Sequence, residues 1–172
     1  MKQIKSLGTI GSILLLGAII PVIGPILSFA GFVMVIIAVY QISKLSGEKS
    51  IFRDYLLSVI LGGVIPVLLA SLGGVSVISE INKEGRGLVT IGILAIVAIW
   101  LAVIAGGWFL KKSFTKIAEI SKVSAFKTTG NLYFVGTILL FLFGVGGILI
   151  LISLIFQIIA FSSFPLVFPA QA

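Results

Sequence analysis

Residues Ser6 to Ser43 read SLGTIGSILLLGAIIPVIGPILSFAGFVMVIIAVYQIS, without one charged side chain. Only Pro21-Val22-Ile23-Gly24-Pro25 breaks the run. Two prolines and a glycine so close together remove backbone donors and favour a turn over a bent helix. A helix from Gln3 to Ile20 is about 27 Å long, just enough for the ~30 Å hydrocarbon core of a bilayer. Ile26 to Ser43 is a second apolar segment of about that length. The stretch predicts two helices joined by a tight Pro-Gly-Pro turn. The alternatives are one bent crossing, or a re-entrant hairpin that enters and leaves by one face.

Composition supports a membrane setting. Of 172 residues, 59% are hydrophobic and 10% charged, and the mean hydropathy is +1.32. Soluble domains carry roughly 25% charged residues. The length fits a single transmembrane domain over residues 1–172. Met1-Lys2-Gln3-Ile4-Lys5 with the run behind it imitates a signal peptide, and Ser28-Phe29-Ala30 imitates a cleavage site. The run is long for a signal's apolar region, so a retained segment is expected.

Three more spans follow. Gly47 is a helix stop and Ser50 an N-cap for a helix over Phe52–Ser71, with Asp54 near its positive end. Pro66 within that helix frees a carbonyl near Gly62. Leu88–Leu110 carries a small-residue stripe, Ala95, Ala98, Ala102 and Ala105, where a neighbour can approach closely. Helical pattern continues past Lys111, with Phe114, Ile117 and Ile120 on one side. Thr128-Thr129-Gly130 is expected to break it, Asn131 to cap the last span, and Leu132–Ile158 to form that span. Two pairs of segments look alike: Leu16–Ile23 with Leu61–Leu68, and Ile10–Leu15 with Val135–Leu140.

Charge decides how the opening stretch is read. With a turn at Pro21–Pro25 the chain has five crossings, and ten of its twelve cations share the face of the N-terminus, Lys44–Asp54 and Lys111–Lys127. With a single crossing the split falls to eight against four. The positive-inside rule favours the first, with a cytoplasmic N-terminus and an extracytoplasmic C-terminus in the cell membrane. It does not separate two full spans from a re-entrant hairpin. Tyr40, Tyr55, Trp108 and Tyr133 fall at the cytoplasmic interface on this reading, and Phe161, Phe164 and Phe168 at the far one.

The chemistry is sparse. The chain has neither Cys nor His, which removes thiolate metal sites and the commonest general base. No cofactor, metal or catalytic residue is expected. Glu80 and Glu84 are interleaved with Lys83 and Arg86 and read as a solvated turn. Ser12, Ser28, Ser58 and Thr137 lack an activating base, so bonds back to their own helices or across to a neighbour are expected. All five acids lie outside the predicted hydrocarbon, which argues against a proton-coupled pump. Nucleic-acid binding has no basic face left once orientation is explained. Trp100, near the middle of its span, needs a partner for its indole N–H, and a pocket near Trp100 and Pro66 is the sharper alternative. Lys111, Lys112, Lys116, Lys122 and Lys127 are candidates for anionic lipid head groups.

The segments Leu7-Gly8-Thr9-Ile10-Gly11-Ser12-Ile13-Leu14, Ile20-Pro21-Val22-Ile23-Gly24, Ser50-Ile51-Phe52-Arg53-Asp54-Tyr55-Leu56, Thr129-Gly130-Asn131-Leu132 and Ile159-Ala160-Phe161 carry a resemblance. The chain resembles a family of small integral-membrane proteins, mostly archaeal, known only as a domain of unknown function. The resemblance implies one membrane module and no activity. The leading expectation is therefore an all-α polytopic helical bundle that is not an enzyme. It would act as a structural or interaction module in the bilayer, as a homo-oligomer or with a membrane-protein partner. The alternatives are an oligomeric channel or transporter, and a protein that binds lipid or a hydrophobic ligand.

Overall fold

The computed structural model describes residues 1–71, 86–140 and 145–165. The Glu80–Glu84 turn, Gly73-Gly74, Gly144, Phe168 and Pro169 lie outside them. Six helices account for nearly all of the described chain, and no strand occurs among the described residues. They are α1 (Lys2–Leu16), α2 (Gly24–Ser46), α3 (Lys49–Ser71), α4 (Arg86–Ser121), α5 (Ser124–Leu139) and α6 (Val145–Ser162). Four of them, α2, α3, α4 and α6, are long and apolar enough to cross a membrane.

Local chemistry explains most boundaries. Gly47 ends α2 in the left-handed region (φ 73°), as expected of a C-terminal glycine. Pro25 opens α2 where its missing N–H costs no helical bond. Ser50 is not the cap of α3; Glu48 holds that position, and the Ser50 hydroxyl bonds the Glu48 carboxylate instead. The link from α1 to α2 is a 3-10 turn, Gly17–Ile19, followed by a tight bend. There the Gly24 N–H donates to the Ile20 carbonyl (2.8 Å), Leu27 N–H to Ile23 (3.1 Å) and Ile23 N–H to Pro21 (2.9 Å). The last of these centres a strained γ-turn on Val22, at φ 72° and 89% exposed. The bend satisfies the Ile20, Pro21 and Ile23 carbonyls within its own backbone and shows only apolar side chains outside.

The last predicted span is two helices. The chain does not break at Thr128-Thr129-Gly130, which runs through α5. Thr129 bonds back to the Ala125 carbonyl (2.8 Å), and Gly130 packs on the backbone of Lys111. The break comes earlier, at Lys122 (φ 58°), where Ser121 Oγ accepts the Val123 N–H. Asn131 is therefore inside a helix and caps nothing. The chain then reverses between Leu139 and Val145, and α6 runs back along α5. Phe161 returns to within 5.0 Å of the Phe126 ring and lies against Gly8 of α1. Phe161 and Phe164 thus sit at the same end of the bundle as Lys127, not at the far interface. The signal that misled was continuous hydrophobicity: Gly146 and Gly147 read as interruptions of one span, whereas they lie in the first turn of a separate helix.

Each helix packs on its chain neighbours, and α6 packs on α1, so the six close into a ring. Neighbours alternate in direction: Asp54 meets Lys116 while Gly62 meets Gly106, and Gly130 meets Lys111 while Thr137 meets Gly107. The buried core fills one end only. There Tyr55, Phe114, Phe126, Phe161 and Phe164 stack edge to face or in parallel between Ile4, Val39, Ile42, Ile51 and Ile117. This is the end that carries the lysines, and we call it the basic end.

Glycine, rather than the alanine stripe, sets the close approaches. Ala98 is exposed and Ala95, Ala102 and Ala105 are half-buried, whereas Gly106 and Gly107 are buried. A Cβ on Gly106 would fall 2.5 Å from the Gly62 Cα, and one on Gly31 would fall 2.5 Å from the Gly11 carbonyl oxygen. A Cβ on Gly146 would overlap the Gly136 carbonyl, while one on Gly147 would meet nothing within 4 Å. Gly106→Ala and Gly146→Ala should each destabilise the fold by about 1–3 kcal/mol, the usual result of overpacking. Gly147→Ala should be neutral or stabilising by up to ~1 kcal/mol from helix propensity. Thermal unfolding in mild detergent checks the order; equal melting temperatures for the three variants would contradict it.

Candidate functional site

Above the basic end the ring is hollow. A cavity of about 320 Å³ lies at its centre, bordered by side chains from all six helices, among them Leu15, Phe32, Tyr55, Phe114, Tyr133 and Gln157. That is at the lower end of ligand-pocket volumes. Two stretches of non-α backbone form part of its wall: Ala18 from the 3-10 turn, and Gly62 and Gly63 from a π-helical turn at Ile60–Val64 in α3.

Both irregularities follow from proline. Pro66 has no N–H to offer the carbonyl four residues earlier, at Gly62, and the helix widens there, with Ile65 N–H donating to Ile60. Pro21 likewise follows the 3-10 turn. The two look-alike segments, Leu16–Ile23 and Leu61–Leu68, therefore do the same thing, each placing a loosened turn against the cavity. The other look-alike pair also shares a role, since Gly11 and Gly136 each seat the returning helix of their own pair.

Ala18 and Gly62 border the same cavity, so the α1–α2 bend stands level with the middle of α3. Ser71 lies nine residues beyond Gly62, about 13 Å farther along the helix. The bend stops well short of the end of α3.

The cavity is mostly apolar, and no charged side chain borders it among the described residues. Its polar groups are Ser28, Tyr55, Ser58, Tyr133 and Gln157. Ser28 is already engaged, donating to the Gly24 carbonyl (2.7 Å). Ser12 and Thr137, away from the cavity, also bond back to their own helices. The side chains of Tyr55, Ser58, Tyr133 and Gln157 make no hydrogen bond among the described residues. Tyr55 is 4%, Gln157 6% and Ser58 9% exposed. Grouped on an apolar wall, these side chains can offer hydrogen bonds to a molecule in the cavity, which makes it the candidate site.

The pocket expected near Trp100 and Pro66 is a different place from this cavity. Neither Trp100 nor Pro66 borders the cavity; both are half-buried. The effect of Pro66 is felt at the carbonyl it leaves unpaired, one turn earlier, and that turn is the wall. Gln157 was missed altogether, though a lone carboxamide in the apolar run Ile148–Ile159 was a visible signal. Tyr55 and Tyr133, expected at the interface, face the interior.

Beside the cavity, at the basic end, lies a buried ion pair. Asp54 is fully buried; its Oδ2 accepts from Lys116 Nζ at 2.9 Å and its Oδ1 from Arg53 at 3.3 Å. Lys116 also donates to Ser50 Oγ (2.6 Å), and Ser113 Oγ donates to the Ile51 carbonyl (2.9 Å), which fixes α4 against the start of α3. Of the five lysines expected to meet lipid, Lys116 is thus the one engaged with Asp54 and Ser50, its side chain 31% exposed. Lys111 lies over the rings of Trp108 (5.6 Å) and Phe134 (5.3 Å), and Lys112 over Phe109 (5.7 Å). Lys122 and Lys127 are exposed. Trp108, Lys111, Lys112, Lys116 and Glu119 line a shallow groove along α4. No cluster of metal-ligating residues occurs among the described residues.

The fold and site define an all-helical bundle with several membrane-length apolar helices and an internal cavity. The chain belongs to the family described as "Protein of unknown function (DUF996)", whose model matches residues 27–155. It is 32% identical over 168 residues to the uncharacterized protein MJ1644 of Methanocaldococcus jannaschii, covering 96% of this chain and 93% of that protein. No solved structure matches the chain.

Lys116→Met should destabilise the fold by about 1–3 kcal/mol, because it leaves a buried carboxylate with Arg53 as its remaining partner. Asp54→Leu combined with Lys116→Met should recover most of that loss, since an apolar pair of similar volume avoids the desolvation cost. Denaturant or thermal melts of the two proteins decide the matter; a double variant no better than the single one would show that the ion pair itself, not the stranded charge, carries the stability.

Proposed function

We propose that this protein is a non-enzymatic integral membrane protein that holds a small uncharged ligand inside its helix ring. The observation that carries this reading is the central cavity with Tyr55, Ser58, Tyr133 and Gln157 on its wall, their side chains without a hydrogen bond among the described residues. The cavity is partly open and offers hydrogen-bonding groups on an otherwise apolar wall, and its position between loosened helical turns resembles the midplane sites that membrane carriers build from interrupted helices. Transport is a natural extension of binding. The missing charge in the cavity speaks for an uncharged cargo rather than an ion.

The positive-inside rule favours a cytoplasmic basic end. On that orientation the N-terminus, the α2–α3 and α4–α5 connections and Phe164 all face the cytoplasm. At fifteen residues α1 is about 22 Å long, short of a ~30 Å hydrocarbon core. We therefore favour α1–α2 as a re-entrant hairpin whose apolar tip, with its carbonyls paired internally, rests inside the bilayer. At sixteen residues α5 is about 24 Å long, also short of the core. A second role is favoured by the α4 groove: Lys111 and Lys112, with exposed Lys122 and Lys127 nearby, offer anionic lipid head groups a seat at the cytoplasmic surface.

Gly63 gives a clean test of the first reading, because a side chain there enters open space. Native mass spectrometry of the protein released from mild detergent should show a retained small molecule. Gly63→Leu should lose it without lowering the melting temperature. A wild-type protein that carries no more bound mass than the variant would refute occupancy of the cavity.

A further inference from the structure

The cavity is not uniform along its length, and its polarity says what kind of molecule fits. Tyr55 and Gly63 both border it and lie eight residues apart on α3, about 12 Å along the helix axis. Gln157 and Ile150 border it seven residues apart on α6, about 10 Å. In both cases the polar residue is nearer the basic end and the apolar one nearer the α1–α2 bend. Leu15 and Ala18 close the cavity at the bend. The single polar side chain on that side, Ser28, has spent its proton on the Gly24 carbonyl. Tyr55, Ser58 and Gln157, with Tyr133 beside them, have no side-chain hydrogen bond among the described residues.

We infer that the ligand is a neutral single-chain amphipath, its hydrogen-bonding head among Tyr55, Tyr133 and Gln157 and its hydrocarbon tail towards Leu15, Ala18 and Ile150. The inference rests on the ligand-binding reading above and adds chemistry and direction to it. Two phenols and a carboxamide supply both donors and acceptors, which suits a hydroxyl, carbonyl or amide head. A charged head has no counter-charge on the wall, because Asp54, the nearest acid in sequence, is already paired with Lys116 and Arg53. Burying such a head unpaired is prohibitive in this setting. A pure hydrocarbon would leave the polar end unsatisfied, so it should bind more weakly than the alcohol of the same length. Water alone can satisfy the polar end but leaves the apolar end without contacts.

The test uses the full chain in lipid nanodiscs and four photoreactive probes that share a decyl chain with a diazirine at its far end. The heads are a hydroxyl, a carboxylate, a trimethylammonium and none. Labelling is mapped by peptide mass spectrometry and scaled to that of lipid-facing Ile148, which removes differences in membrane partitioning. The alcohol should label Leu15, Ala18 or Ile150 about tenfold more than the headless or charged probes, the worth of one or two hydrogen bonds. Gln157→Leu together with Tyr55→Phe should bring the alcohol down to the headless level. Equal labelling by a charged probe, or labelling concentrated at Tyr55 and Gln157, would overturn the proposed ligand class or its direction while leaving the cavity a binding site. Labelling by none of the probes in the cavity, or labelling that Gly63→Leu does not reduce, would overturn the binding reading and this inference with it.

Discussion

Backbone-to-backbone contact at glycine governs the shape of this protein. Gly11 meets Gly31, Gly62 meets Gly106 and Gly136 meets Gly146, one contact for each of the three antiparallel helix pairs. Between helices in lipid there is little hydrophobic driving force, because acyl chains are as apolar as leucine. Close approach of small residues is what remains. Each pair is drawn together at its glycine, and the three pairs then close into a ring. With the contacts placed within pairs rather than across the ring, the centre has only side chains to fill it. At the basic end the phenylalanines fill it, and above them they do not.

The basic end is locked by a different interaction. Asp54 and Lys116 meet inside the protein, where an ion pair is specific in geometry whatever its net contribution to stability. Ser50 and Ser113 extend the contact along α3 and α4. The result is a packed, polar-latched end below a hollow, mostly apolar body.

Much of this was legible in the chain. Long uncharged runs announced a helical membrane bundle, the prolines marked where regular helix would fail, and Gly47 ended α2 where its conformational freedom said it would. The clustering of cations at one end was also readable. What hydropathy could not show was direction. The stretch from Leu132 to Ile158 has the length and composition of one span, and only the contacts of Gly136 with Gly146 and of Phe126 with Phe161 reveal that it folds back. The cavity escaped for a related reason. A tyrosine beside a charged turn looks like an interfacial anchor, and Gln157 looks like one polar residue among many apolar ones. Their convergence depends on helices far apart in sequence. Likewise Lys116 is one of five similar lysines until its distance to Asp54 is known.

The central claim is that all connections of the basic end, and both described ends of the chain, share one side, while the α1–α2 tip stays within the bilayer. The chain has no cysteine, so single cysteines report cleanly. Lys49→Cys, Ser124→Cys, Ser163→Cys and Val22→Cys can each be exposed to a membrane-impermeant maleimide in sealed vesicles of known orientation. The account predicts that positions 49, 124 and 163 react from one side only and that position 22 reacts from neither. Reaction at position 163 from the side opposite to 49 and 124, or at position 22 from that opposite side, would contradict it.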